Sequence, residues 1–270
     1  MKSILLHVGT DAHFEARLQG ALDLARFAGG HLECLQTRRV PAFLGADAAG
    51  FAGSAAMVVQ LMEDEARLAE AERKALAARL EGEGVPFSFT EAMGDASQTL
   101  VDRSLLTDVI VMSLAAGDRE LSRALAAVVT HADAPVLAMP DGASRLGLEK
   151  PVLVAWKPTA EAAHAVKRSV GLLQRAVRVD VVTIDPAGQG DVPPTAVAAY
   201  LARHGVSAEL HERLSAGAST SDTLLSVARE LGAGLIVMGG YGRSRAMEFL
   251  MGGVTRRLLG ASDVALLMAH

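Results

Sequence analysis

The same order of elements runs through the chain twice, and this repeat limits the fold more than any other property of the sequence. Ile4-Leu5-Leu6-His7-Val8 and Val152-Leu153-Val154-Ala155-Trp156 are apolar runs of strand length. An amphipathic segment follows each, Phe14–Ala28 and Ala160–Ala176, and then a second strand, His31–Gln36 and Val179–Ile184. The first copy next carries a Gly/Ala-rich stretch, Pro41–Ser54, and a long helical pattern from Val58 to Leu80. There Leu61, Glu65, Leu68 and Glu72 alternate apolar and acidic residues at helical spacing. The second copy has a shorter helix at Thr195–His204. Third strands are predicted at Val85–Thr90 and Ser207–Arg213, helices at Ser97–Leu105 and Thr220–Leu231, and fourth strands at Asp108–Ser113 and Gly234–Gly239. Each copy closes with a helix and an apolar strand, ending at Met139 and Met268. Strands that alternate with helices pair in parallel through right-handed crossovers. The pattern therefore predicts an α/β fold of two doubly wound domains, residues 1–144 and 148–270, each with a five-stranded parallel sheet, joined by a linker at Pro140–Lys150.

Length and composition agree with that reading and remove several function classes. At 270 residues the chain has room for two ordinary domains. Half of its residues are apolar but only 4% are aromatic, a composition suited to small-residue helices packed on a parallel sheet. The net charge of −5 and the lack of a dense Lys/Arg run argue against nucleic-acid binding. The single cysteine, Cys34, excludes an internal disulfide and suits a reducing compartment. Residues 1–9 read as a strand and not as a signal peptide, and no apolar run approaches membrane-spanning length, so the expectation is a cytoplasmic protein with no membrane contact.

The chemistry concentrates after the fourth strand of the second copy. Leu235-Ile236-Val237-Met238-Gly239 empties into Gly240-Tyr241-Gly242-Arg243-Ser244-Arg245, and Gly252-Gly253-Val254-Thr255 opens the following helix. Glycine lacks a Cβ, so backbone N–H groups can approach an anion there, and the positive end of the helix dipole favours a phosphate at the same place. Arg243, Arg245 and the hydroxyls of Ser244 and Thr255 add donors. The plainer alternative is that these glycines serve only a tight turn and close helix packing. The spacing Gly239-x-x-Gly242, nine residues, Gly252 resembles the glycine signature of the universal stress proteins, with Gly253 where that signature closes on Ser or Thr. The resemblance implies an adenine nucleotide alpha hydrolase-like fold in tandem, with the specific motif only in the second copy. It further implies bound ATP, with Mg²⁺ accompanying it, in a sensor or regulatory role. On this resemblance Ile184 lies by the adenine, Met238 ends the fourth strand, and Gly239, Gly242, Gly252, Gly253, Val254 and Thr255 surround ribose and phosphates. It also implies that the two domains pack about a pseudo-twofold axis through their last strands, and a homodimer of chains is compatible with it.

The two copies are chemically unequal. The first has Val109-Ile110-Val111-Met112-Ser113-Leu114-Ala115-Ala116, with no glycine pair after it, and reads as a structural copy. At the end of the first strand, where the family has Asp-Gly-Ser, the second copy has Lys157-Pro158-Thr159 and the first has Gly9-Thr10-Asp11. Lys157 either pairs with a phosphate, obstructs the nucleoside side, or is a solvated loop lysine. The alternative function is accordingly a stress-response scaffold whose pocket is empty or holds a small anion. Catalysis is at most slow ATP hydrolysis, because no carboxylate sits in the motif to hold Mg²⁺ or to position water. No Walker loop, dinucleotide fingerprint or nucleophile elbow occurs, and the histidines show no metal spacing with Cys or carboxylates. Trp156 reads as a core or interface aromatic, with base stacking as the other possibility.

Overall fold

The computed structural model describes residues 1–38, 55–114, 117–186, 192–241 and 253–270, with side chains from residue 59 onward in the helix that begins at Ala55. The insert Pro41–Ser54 lies outside the described residues. The first half contains β1 (Ser3–Val8), α1 (Phe14–Ala28), β2 (His31–Arg38), α2 (Ala55–Glu81), β3 (Phe87–Met93), α3 (Ala96–Arg103), β4 (Val109–Ser113), α4 (Arg119–His131) and β5 (Val136–Met139). The second contains β6 (Val152–Ala155), α5 (Ala160–Leu173), β7 (Val179–Ile184), α6 (Pro194–Arg203), β8 (Ala208–Arg213), α7 (Thr220–Leu231), β9 (Leu235–Gly239), α8 (Gly253–Ala261) and β10 (Ala265–Ala269). Helix α1 stops at Gly29 and α7 at Gly232, each in the left-handed conformation that glycine adopts without steric cost. Side chains of Asp95, Asp118, Thr159 and Ser219 cap the N-termini of α3, α4, α5 and α7.

The ten strands form one sheet in the order β3-β2-β1-β4-β5-β10-β9-β6-β7-β8. Each half is a five-stranded parallel sheet, as the repeat predicts, and the halves join where β5 and β10 pair antiparallel, with Leu137 opposite Leu267. Period-2 alternation sends strand residues to two separate core layers. Ile4, Leu6, Val152, Val154, Trp156 and Val237 pack under α1, α2, α5 and α6, while Leu5, Ile110, Leu153, Ile184, Ile236 and Met238 pack under α3, α4, α7 and α8. Strand order reverses between β1 and β4 and again between β6 and β9, so each half has a crevice beyond the carboxyl ends of those strands.

No described helix is long and apolar enough to cross a membrane. The Asp180 carboxylate shows why histidine spacing along the chain is a poor guide. Fully buried on β7, it accepts from Arg178 Nε, two residues away, at 2.9 Å, and from His211 Nε2 on the neighbouring β8, 31 residues away, at 2.9 Å. Glu209 lies close enough for the three groups to share a cation, but both Asp180 oxygens are already engaged by Arg178 and His211.

Candidate functional site

Equivalent positions in the two crevices follow from register. Ile4 pairs with Val109 and Val152 with Leu235, so Ser113 and Gly239 occupy the same place in their halves. Val8 pairs with Gln36, and Trp156 stands one step beyond the Ala155–Val182 pair, beside Thr183. The last row of each sheet on the α1/α5 side is therefore Ser113, Val8, Gln36 in one half and Gly239, Trp156, Thr183 in the other.

In the first half this row is saturated. Arg17, on α1 and 1% exposed, donates from Nε to the His7 carbonyl (2.8 Å), from Nη1 to Asp11 Oδ1 (2.8 Å) and Ser113 Oγ (3.1 Å), and from Nη2 to Asp11 Oδ2 (2.5 Å). Ser113 donates in turn to the His13 carbonyl, and Gln36 donates to the Ala69 carbonyl and to Glu72 on α2. The polar groups of this row are thus satisfied by the protein's own side chains and backbone, which adds a physical contrast to the glycine deficit read from the sequence. Burial, with the nearby Arg17 charge, pushes His7 from the ordinary 6.5 down to about 4. The unfolded chain then takes up a proton that the folded chain refuses, so stability should fall as pH drops from about 6.5 to about 4, by on the order of 3 kcal/mol. Urea midpoints measured across that range check this, and His7→Gln should flatten the slope. An unchanged slope in the variant would place the proton elsewhere.

The second crevice is built differently. Lys157 stands two residues past the end of β6, is exposed, and makes no side-chain hydrogen bond or ion pair among the described residues. Ile184 and Met238 end β7 and approach the end of β9, and both are buried in the layer under α7 and α8. Helix α8 connects β9 to the parallel β10, which places its N-terminus at the carboxyl end of β9. Its first residue is Gly253, around which a Cβ would meet only open space, followed by half-exposed Val254 and buried Thr255, with no acid in the first turn to offset the dipole. Lys157, Ile184, Met238, Gly239, Gly253, Val254 and Thr255 are thus grouped by strand and helix ends at one crevice. Gly242, Arg243, Arg245 and Gly252 lie outside the described residues.

Gly239 has a packing role that the motif alone does not reveal. A Cβ there would stand 2.6 Å from the Ala162 nitrogen and 2.8 Å from the Glu161 carbonyl carbon, inside the backbone of α5. At this position the plainer reading of the glycines suffices. Gly240 is similarly tight, because a Cβ would come within 2.5 Å of Val129 Cγ1 from the other half. Tyr241 then takes φ +46°, a left-handed conformation uncommon for a non-glycine residue, as does Asp185 (φ +50°) just beyond β7.

Among the described residues of the second half, three side-chain polar atoms are buried with no hydrogen-bond partner: Trp156 Nε1, Thr183 Oγ1 and Tyr241 Oη. Burial alone pushes the Tyr241 phenol up to about 12. The sequence marks Trp156 as a core or interface aromatic with base stacking as the other possibility, and carries no signal that singles out Thr183. Only the pairing register brings the first two side by side.

Comparison with known proteins now adds to this geometry. Residues 149–270 match the Universal stress protein family. No curated protein matches the chain at a significant level. Among solved structures, a universal stress protein from Archaeoglobus fulgidus DSM 4304 superposes with a TM-score of 0.76 at 16% identity, covering 99% of this chain and 96% of the other. A functionally unknown protein from Pseudomonas aeruginosa PAO1 gives 0.61 at 18% identity, covering 98% and 91%. The cytoplasmic domain of a prokaryotic cation chloride cotransporter gives 0.56 at 12% identity, covering 99% and 95%. At such identities these likenesses speak for the fold. The matched residues, 149–270, are the half in which Trp156, Thr183 and Tyr241 carry buried side-chain polar atoms without partners among the described residues.

Proposed function

We propose that the chain is a stress-response protein built from two universal stress protein domains, of which the second binds ATP or a related adenine nucleotide, with Mg²⁺ accompanying it, and the first binds none. One contrast carries this reading. The polar groups on the last row of the first half are hydrogen-bonded internally, whereas Trp156, Thr183 and Tyr241 at the matching end of the second are buried without partners. Buried polar groups are nearly always satisfied in native proteins, so unpartnered ones among the described residues near these strand ends favour a ligand in this half. The acid-free N-terminus of α8 suits the phosphate end of such a ligand. Titration calorimetry with ATP tests the assignment. One site per chain is expected, and two equivalent sites would overturn the inequality of the halves.

Lys157 favours a second reading, in which the crevice holds only a small anion, because it replaces the acidic residue by which the family contacts the nucleoside. Its exposed, unpaired ammonium is available to phosphates either way. Lys157→Asp should therefore weaken ATP binding about 10- to 100-fold, the scale of a lost charge-assisted contact. Stronger binding in the variant would show that the lysine obstructs the cleft instead.

A further inference from the structure

We infer that Asp180, Glu209 and His211 form a zinc site that fastens the edge strand β8 to β7. One donor atom from each lies within 4.8 Å of the others, and no other set of three or more His, Cys, Asp or Glu donors gathers so closely among the described residues. Register explains the grouping. Asp180 pairs directly with Glu209, and His211 stands two residues further along β8, so all three side chains leave the same face of the sheet. Asp180 is the second residue of β7, which puts the cluster toward the amino ends of the strands, away from the crevice. The inference therefore stands apart from the nucleotide reading.

Neither hydrogen bond to Asp180 keeps a cation out. Arg178 holds Oδ2 and is fixed in turn by the Leu231 carbonyl at the end of α7 (2.9 Å), while the bond from His211 falls on Oδ1. The first is the kind of outer contact that orients a ligating carboxylate. The second is a proton in the place of a metal. A carboxylate only accepts, so His211 Nε2 carries that proton. Moving it to Nδ1 turns the Nε2 lone pair toward Oδ1 and leaves the imidazole neutral. With metal–ligand bonds of about 2.0–2.1 Å, two donors at a tetrahedral angle stand roughly 3.3 Å apart. The Nε2–Oδ1 distance is 2.9 Å, so a small opening admits the ion. Glu209, exposed and free of hydrogen bonds and ion pairs among the described residues, supplies the third ligand, and water the fourth. With His211 neutral, Asp180, Glu209 and Arg178 sum to one negative charge, and the next residue on that face, Arg213, is paired with Glu230. An imidazole nitrogen with two carboxylates suits Zn²⁺ better than Mg²⁺ or Ca²⁺, which take oxygen ligands.

The first half lacks this donor set at the same register. Glu33 holds the place of Asp180, but Ser88 stands opposite it and Thr90 two residues on, where β8 has Glu209 and His211. There Glu33 Oε1 accepts from Thr90 Oγ1 and from Arg103 Nη1. Zinc is bound by Cys, His and carboxylates, so the first half has one ligand where the second has three.

Calorimetric titration of the tag-free, chelator-washed chain with zinc chloride should show one ion per chain, and excess Mg²⁺ should not displace it. The melting temperature should rise with zinc, because an ion that binds only the folded chain stabilises it. His211→Gln keeps a donor toward Asp180 but offers no imidazole, and Glu209→Gln alters only an exposed side chain, so both should fold, as circular dichroism checks. Each should weaken zinc binding by more than about tenfold and remove most of the melting shift. His13→Gln, at the other histidine–carboxylate pair among the described residues, should bind zinc as the parent chain does. No zinc binding by the parent chain, or unchanged affinity in either folded variant, would overturn the site. Loss of binding in His13→Gln alone would also overturn it, by placing the ion at the His13–Asp141 pair.

Discussion

Replacing Arg17 with methionine should cost the first half about 3–5 kcal/mol, the range for removing one partner of a buried ion pair. The guanidinium makes four hydrogen bonds to three residues, so its loss strands the His7 carbonyl, removes one partner of the Ser113 hydroxyl and leaves the partly buried Asp11 without its counter-charge. Methionine restores much of the volume, which isolates the polar loss from a simple cavity. Urea denaturation of the variant checks this, and a change below about 1 kcal/mol would mean that the network is dispensable. Acid should reproduce part of the effect. Burial tends to raise the Asp11 carboxyl, but the hydrogen bonds and charge of Arg17 outweigh it and hold it below the usual range. The folded state therefore keeps this carboxylate ionised to lower pH than the unfolded state does. The stabilisation is fully present above the ordinary carboxylate value of about 4 and is lost as pH falls through the depressed one.

Gly239→Val should be the most damaging change in the second half, at about 3 kcal/mol or more. The added carbon meets the α5 main chain at 2.6 and 2.8 Å, and backbone in the first turn of a helix has no rotamer by which to retreat. Gly253→Ala is the informative control, because nothing lies within 4 Å of the new Cβ and alanine is the better helix former. Thermal melts should separate the two variants clearly. Wild-type stability in Gly239→Val would show that α5 can shift, returning this glycine to the ligand side of the account.

The fold was legible because its signals are local. Short apolar runs and helical periodicity placed Phe14–Ala28, Val179–Ile184 and Thr220–Leu231 at the bounds that the structure has. The third strand of the first half was read two residues early, since Val85 is buried like a strand residue yet precedes Phe87, where pairing with Leu32 begins. The candidate site was less legible. Motif spacing could propose Gly239 for a ligand but carried no information about the approach of α5. The Arg17–Asp11–Ser113 network joins a helix, a loop and a strand, with nearly a hundred residues between Arg17 and Ser113. Trp156 and Thr183 are neighbours only through strand register, which no window along the chain contains.

The antiparallel seam between β5 and β10 has a further consequence. The segment from Met139 to Val152 tethers the two partners of that seam, so their pairing is intramolecular and independent of protein concentration. A symmetric pair of identical subunits would have to carry every substitution in both clefts at once. One continuous chain is free of that constraint, and it places a buried arginine at one strand-order reversal without having to place one at the other. The antiparallel arrangement also points the two sets of strand ends in opposite directions along the sheet, so the two strand-order reversals lie on opposite rims. The two rims of the sheet therefore differ in chemistry, one holding the Arg17 network and the other the first turn of α8.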